Sequence, residues 1–310
     1  VNKICGSGLK TVMLAAAMIA AGDGDVFVAG GMESMNNGPY LLRDARFGYR
    51  LGNGDVVDAM VHDGLWCSFE DQHMGNAAEW IAREYGLTRE ELDEFAYQSH
   101  RKAIAAIDEG RFEDEIVPVR IPQRRGKPTL FAVDETPRRD TSVEALARLR
   151  PAFQRDGIVT AGNSPGITDG AAATVVMSRA KADELGIKPL ARIIAYDQAA
   201  VEPLEIFTAP IFAVRKLLKK THTSVADYDL FEVNEAFAAQ MLADMRALGL
   251  PEEKVNVNGG AIALGHPIGC SGTRVLVTLI HALRQRGLTQ GLTTLCLGGG
   301  EAVAMAIELD

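Results

Sequence analysis

Residues 5–33 read CGSGLKTVMLAAAMIAAGDGDVFVAGGME. A turn of small residues leads into an Ala- and Met-rich run, a glycine stop at Gly22, a short apolar run and the pair Gly30-Gly31. The pattern predicts a helix over 6–21 and a buried strand over 25–29. Residues 269–301, GCSGTRVLVTLIHALRQRGLTQGLTTLCLGGGE, repeat that grammar. Here the helix opens at Gly269 and runs to about Arg286, and the strand covers 293–297. An acid follows each glycine cluster, Glu33 in the first copy and Glu301 in the second. A duplication of this kind predicts two similar α/β halves, facing each other so that Cys5 and Cys296 meet at one seam.

Between the copies, residues 35–167 differ in character. They are charged and loop-rich, with prolines at 118, 122, 128 and 137. One clear helix spans 87–109, opened by Thr88 with Glu91 three residues on as a capping box. This stretch reads as an inserted loop domain covering a site. Regular structure then resumes: a strand over 171–177, a short helix over 180–185 and a strand over 189–196. A helix over 206–220, a strand over 230–233 and a helix over 235–248 follow. The domain reading is 1–34 with 168–188 as the first half, 35–167 as the insertion and 189–310 as the second half.

A chain of 310 residues can bury a full core and divide into two or three domains. Its hydrophobic share of 47% is that of a globular, soluble protein. The net charge of −9 argues against a nucleic-acid surface, though not against a local basic patch for an anionic ligand. Four cysteines without a CxxC pair argue against a disulfide framework or a cysteine zinc site. They suit a reducing, cytoplasmic compartment. The longest apolar run, 13–21, is too short to span a bilayer, and no signal peptide is visible.

Four segments carry chemistry: Cys5-Gly6-Ser7-Gly8, Asn234-Glu235-Ala236-Phe237, Gly265-His266-Pro267 and Cys296-Leu297-Gly298-Gly299-Gly300. Each has an ordinary structural alternative. Cys5 and Cys296 could be small buried hydrophobes, Asn234 a helix N-cap and His266 a turn residue. Together they form an inventory for covalent acyl transfer: a thiol before a helix N-terminus, which should lower its pKa, a base, an amide donor and a second thiol.

These four segments resemble the thiolase family, over the whole chain. The resemblance implies two similar βαβαβαββ halves in a five-layered αβαβα core, with mixed five-stranded sheets. It further implies that the opening part of the first half is missing before Val1. Cys5 would be the acylated nucleophile, His266 its activator, and Asn234 would complete an oxyanion hole with it. Cys296 would be the acid/base, needing only modest lowering of its pKa, and the N–H groups of Gly298 and Cys5 would form a second oxyanion hole. Glu235 would orient neighbours, while Ala236 and Phe237 would line the acyl pocket. His73-Met74-Gly75 is similar to a segment of the acetoacetyl-type members, bordering acyl and pantetheine groups; His73 could equally be a polar helix start. Arg138 matches the adenine-contacting arginine, with Arg139 beside it; a solvated patch is the alternative. Thr160-Ala161-Gly162-Asn163 fits the pantetheine loop, but Pro165 stands where those members carry a serine, leaving Ser164 to substitute.

The activity so implied is condensation of two acetyl-CoA to acetoacetyl-CoA and the reverse thiolysis, with coenzyme A thioesters as substrates. No metal or redox cofactor, nucleic acid or membrane is called for, and a homodimer or homotetramer is expected. The alternatives are a longer-chain degradative 3-ketoacyl-CoA thiolase, and a non-catalytic scaffold or lipid carrier. A Cys-His-Asn 3-ketoacyl synthase would not require Cys296.

Overall fold

The structure, a computed structural model, describes residues 1–309. Its principal elements are α1 (Ser7–Ala21), β1 (Val26–Ser34), α2 (Met74–Glu84) and α3 (Arg89–Asp108), then β2 (Asp169–Met177) and β3 (Arg192–Ala200). They continue with α4 (Ala209–Thr221), β4 (Leu230–Val233), α5 (Ala238–Leu248), α6 (Ile268–Arg286), β5 (Gln290–Leu297) and β6 (Glu301–Glu308).

Helix ends follow local chemistry. Gly22 closes α1 in the left-handed conformation, φ 82°, and Gly287 closes α6 at φ 64°. Thr88 and Glu91 form the expected reciprocal capping box of α3. Helix α5 begins at Ala238, three residues later than the sequence pattern suggested, because residues 234–237 adopt an extended turn. The stretch expected as one helix from 206 is a 3-10 turn, Pro203–Thr208, that leads into α4.

β1 pairs antiparallel with β2, from Val26↔Met177 to Ser34↔Asp169. The second sheet has the order β4-β5-β6-β3, with β4 parallel to β5 and the other pairs antiparallel. The sheets thus hold two and four strands among the described residues, rather than five. β6 is buried on both faces, its alternate residues packing to opposite sides. Val303, Met305 and Ile307 join Leu9, Val12, Leu276 and Leu279 of the central helices. Ala302, Ala304 and Ala306 join Ala213, Val214 and Leu217 of α4. Sheet, central helix pair, sheet and outer helix therefore succeed one another.

Each half runs helix, strand, antiparallel strand; β1, however, is not closed by Gly30-Gly31 as the repeated grammar implied but pairs through them to Ser34, whereas β5 ends at Leu297, before its glycines. The two acids cross between halves: Glu33 Oε2 accepts from the Gly269 N–H at 3.0 Å, and Glu301 pairs with Lys3. Where α1 meets α6 there is no room for side chains. A Cβ on Gly8 would lie 2.6 Å from the Thr273 nitrogen and 3.1 Å from the Cys270 carbonyl oxygen. The stretch Ile4–Ala21 is long and apolar enough on composition to cross a membrane, but Leu9, Val12 and Met13 sit in the core.

Gly8→Ala should therefore destabilise the protein by about 3 kcal/mol, since backbone on α6 must move to admit the methyl group. Chemical denaturation of variant and wild type checks this; equal midpoints would contradict the close crossing.

Candidate active site

Cys5 lies in the 3-10 turn Ile4–Gly6 that feeds α1. The turn is strained. Ile4 takes φ 48°, a left-handed conformation that costs a β-branched residue about 1–3 kcal/mol. Its side chain lies against the glycine loop after β5, where a Cβ on Gly298 would stand 2.8 Å from Ile4 Cδ1. Gly299 and Gly300 turn that loop at φ 87° and 85°. The loop and the turn thereby present the N–H groups of Gly298 and Cys5 to the Cys5 sulfur. Those donors favour the thiolate, but enclosure of the sulfur outweighs them and pushes the thiol up to about 12. The helix N-terminus was expected to lower this pKa; burial wins, and the resting group is a neutral thiol.

Cys296, at the end of β5, is buried, and its thiol is likewise raised, first by burial and next by an ionised Cys5. The two thiols share one seam, as the duplication implied, and both cannot ionise at once. The modest lowering expected for Cys296 is not what the site does to the resting thiol.

His266 and Asn234 form a second pair. Asn234 is no N-cap, since α5 starts four residues later. Its N–H donates to the Thr294 carbonyl at 3.1 Å, which ties it to the strand bearing Cys296. Its Nδ2 stands 3.5 Å from His266 Nδ1, the limit of a hydrogen bond, and its Oδ1 is buried without a partner. The stronger contact to Nδ1 comes from Ser271 Oγ at 2.6 Å. Ser271 Oγ also stands 3.0 Å from the Pro267 carbonyl, and with its proton placed there its oxygen accepts from Nδ1–H. This network assigns the proton to Nδ1 and leaves Nε2 as the basic nitrogen. Burial, reinforced by the Arg274 charge, pushes His266 down to about 4, so the imidazole is neutral at neutral pH.

Glu235 is buried and holds the pair in place. Its carboxyl accepts from Ser99 Oγ at 2.6 Å, Asn256 Nδ2 at 2.9 Å and the Ile262 N–H at 3.0 Å. Helix α3, the end of β4 and the loop leading to His266 thus converge on one side chain.

Cys296 belongs to an apolar cluster that also holds Ala236, Phe237, Ile262, Phe207 and, at its margin, Met74 and Phe153. His73 stacks on Phe153 at 4.8 Å and caps α2, its Nδ1 accepting from the Gly75 N–H at 3.0 Å. The helix-start role considered for His73 is thus real, and only its Nε2 remains for another partner.

In the inserted region the two arginines separate. Arg139 makes a two-bond fork with Asp108, at 2.6 and 2.9 Å. The Arg138 side chain is exposed, while its backbone N–H donates to His100 Nδ1 at 3.1 Å. Burial pushes His100 down to about 4, consistent with that acceptor role. In the 160–163 loop, Asn163 Nδ2 donates to Asp93 at 2.9 Å and the Asn163 carbonyl accepts from the Ala238 N–H at 3.0 Å. Ser164 Oγ donates to the Thr160 carbonyl at 2.7 Å, which leaves only lone pairs for a ligand. Ser271, Ser99, His100, Ile4 and Phe207 were not singled out from sequence. Only the Ser271 spacing, five residues beyond His266 at a helix start, offered a signal.

Comparison with known proteins gives a consistent picture. Residues 1–180 match the family described as thiolase, N-terminal domain, and residues 187–309 match thiolase, C-terminal domain. The chain is 55% identical over 309 residues to an acetyl-CoA acetyltransferase of Pseudomonas aeruginosa, covering 100% of this chain and 79% of that protein. It is 54% identical over 308 residues to a probable acetyl-CoA acyltransferase of Staphylococcus aureus, covering 99% and 78%. Among solved structures, the acetyl-CoA acetyltransferase of Bacillus anthracis superposes with a TM-score of 0.97 at 47% identity, covering 100% of this chain and 78% of that one.

Two outcomes follow from the geometry. Ser271→Ala removes the acceptor that fixes the imidazole, and a hydrogen bond of about 1–1.5 kcal/mol corresponds to roughly tenfold slower alkylation of Cys5 by iodoacetamide at neutral pH. An unchanged rate would contradict the tautomer assignment. For stability, His266 and His100 are pushed to about 4 from an ordinary 6.5. Between those values the unfolded chain binds more protons, so stability is full above pH 6.5 and declines as pH falls toward 4. His100→Asn, which keeps an acceptor but does not titrate, should show a shallower decline in Tm over that window.

Proposed function

The chain belongs to the thiolase family, and on that premise we propose that it is an acetyl-CoA acetyltransferase, joining two acetyl-CoA into acetoacetyl-CoA and running the reverse thiolysis. The observation that carries the reading is the second thiol. Cys296 faces Cys5 across the seam between the halves, behind a glycine loop whose Gly298 N–H lies against the Cys5 sulfur. A Cys-His-Asn condensing enzyme has no use for that second thiol.

The reaction is ping-pong. Cys5 attacks the carbonyl of acetyl-CoA while His266 Nε2 takes its proton, and coenzyme A leaves with that proton. Because both groups rest uncharged, the proton moves as the carbon–sulfur bond forms, and no buried ion pair stands idle beforehand. The N–H groups of Cys5 and Gly298 stabilise the tetrahedral oxyanion, each such donor being worth about 3 kcal/mol. Cys296 passes its own proton to the freed His266 Nε2, and the resulting thiolate removes the α-proton of a second acetyl-CoA. Its enolate oxygen rests on the His266 and Asn234 side, and its carbon attacks the acetyl group on Cys5. Acetoacetyl-CoA leaves, the expelled Cys5 sulfur takes the proton held on His266, and Cys296 keeps the α-proton, so both thiols and the neutral imidazole are restored. Burial suits Cys296 to this work, because a thiol that resists ionisation gives a strong base when it is deprotonated.

Ala236, Phe237 and Met74 form the acyl pocket, with His73 at its mouth. The insertion, 35–167, covers the site and binds the coenzyme. Arg138, whose guanidinium is exposed, takes the nucleotide end rather than Arg139, which Asp108 holds. Ser164 serves the pantetheine arm only as an acceptor. Four free thiols suit a reducing cytoplasm. A dimer or tetramer would cover the exposed apolar residues Val28, Met32 and Val175 on the outer face of β1 and β2.

The test separates the two thiols. Wild-type protein should consume acetoacetyl-CoA only when coenzyme A is present, and Cys5→Ser should abolish this. Cys296→Ser should still exchange labelled coenzyme A with acetyl-CoA, which needs only Cys5, while condensation falls by about 10²–10⁴-fold. Loss of both reactions in a folded Cys296→Ser protein would refute the assigned division of labour.

A further inference from the structure

The 3-10 turn Pro203–Thr208 lies between β3 and α4, outside every segment that marked the site in the sequence. It is strapped to the loop after Cys296. The Val201 N–H donates to the Gly300 carbonyl at 2.8 Å, and Pro203 Cα stands 3.1 Å from where a Gly300 side chain would begin. Phe207, 2% exposed, projects from this turn into the apolar cluster that holds Cys296, Ala236, Phe237 and Ile262. Its ring meets Phe237 edge-on, with centroids 5.4 Å apart and planes at 68°. Phe237 meets Phe153 at 6.1 Å and 82°, and Phe153 stacks on His73. A continuous row of four rings therefore runs from the His73 side of the site to the Cys296 side.

We propose that Phe207 is the back wall of the acyl pocket and sets the upper limit on acyl length. This rests on the acetyltransferase reading and adds to it the residue that stops the acyl tail. The reasoning is steric. Aromatic rings locked edge-to-face hold their places better than aliphatic side chains, because few rotamers satisfy both neighbours. Phe207 is further held from behind by a turn that the Gly300 loop fixes. An acyl tail growing away from Cys5 past Phe237 would meet this ring, and the ring cannot swing aside without displacing Phe237. Phe237 alone would make a weaker wall, since one flank of its ring would be unsupported.

The experiment compares kcat/KM for acetoacetyl-CoA and 3-ketohexanoyl-CoA in wild type, Phe207→Leu and Phe207→Ala. The ratio of the two is independent of the folded fraction, so a destabilised variant remains informative, and Phe207→Leu keeps most of the apolar volume should Phe207→Ala fold poorly. One methylene in an apolar pocket changes discrimination by about 10–200-fold, so the ratio should move toward the longer substrate by at least about tenfold, with acetoacetyl-CoA retained within a few-fold. An unchanged ratio in variants active on acetoacetyl-CoA would overturn the role of Phe207 and leave the reaction assignment standing. Wild-type protein active on no chain length would overturn the assignment itself, and this wall with it.

Discussion

The buried carboxyl of Glu235 is the constraint on which the site depends. Its three donors come from separate parts of the chain: Ser99 in the insertion, Asn256 beyond α5, and the backbone of Ile262 before His266. Ser99 Oγ is used twice, donating to Glu235 and accepting from the Gly260 N–H at 3.2 Å. Asn256 in turn brackets Val233, its Oδ1 accepting from the Val233 N–H and its Nδ2 donating to the Val233 carbonyl, both at 2.8 Å. Asn234 and His266 are thereby fixed relative to each other although 32 residues separate them. A buried carboxyl left with an orphaned lone pair costs roughly 1–3 kcal/mol or more, so the network favours one arrangement of all three segments over any partial one.

Around that frame, burial does most of the electrostatic work. It raises both thiols and lowers both His266 and His100. The result is that the two thiols and the two imidazoles rest uncharged. The fixed dipoles that receive the oxyanion's charge, the N–H groups of Cys5 and Gly298, are held by backbone geometry: strain at Ile4 on one side and left-handed glycines on the other. Neither needs to reorganise during reaction, which is why such donors act more strongly than water.

Much of this was legible in the sequence. The repeated helix, strand and glycine grammar identified the central helices, the duplication and the meeting of Cys5 with Cys296, because close helix crossing demands small residues at fixed places. Glu33 and Glu301 were visible as a repeated acid, though not that each reaches into the opposite half. What stayed hidden depends on contacts between distant segments. The two-sided packing of β6 was masked because both faces are apolar, so residues 301–308 carry no alternation. The turn bearing Phe207 reads as helix by composition, and Pro203 and Pro210 alone hint at the break. The direction of the Cys5 shift could not be read either: a helix N-terminus is local, whereas enclosure comes from the other half of the chain.

The central claim is that Cys5 carries the acetyl group between the two half-reactions. Its most direct test is to mix the protein with acetyl-CoA alone, quench in acid and map the acetylated peptide by mass spectrometry. The account predicts one acetyl group, on the peptide bearing Cys5, removed by adding coenzyme A and absent from the peptides of Cys67, Cys270 and Cys296. An acetyl group on Cys296 instead, or none on any thiol of a folded protein, would contradict it.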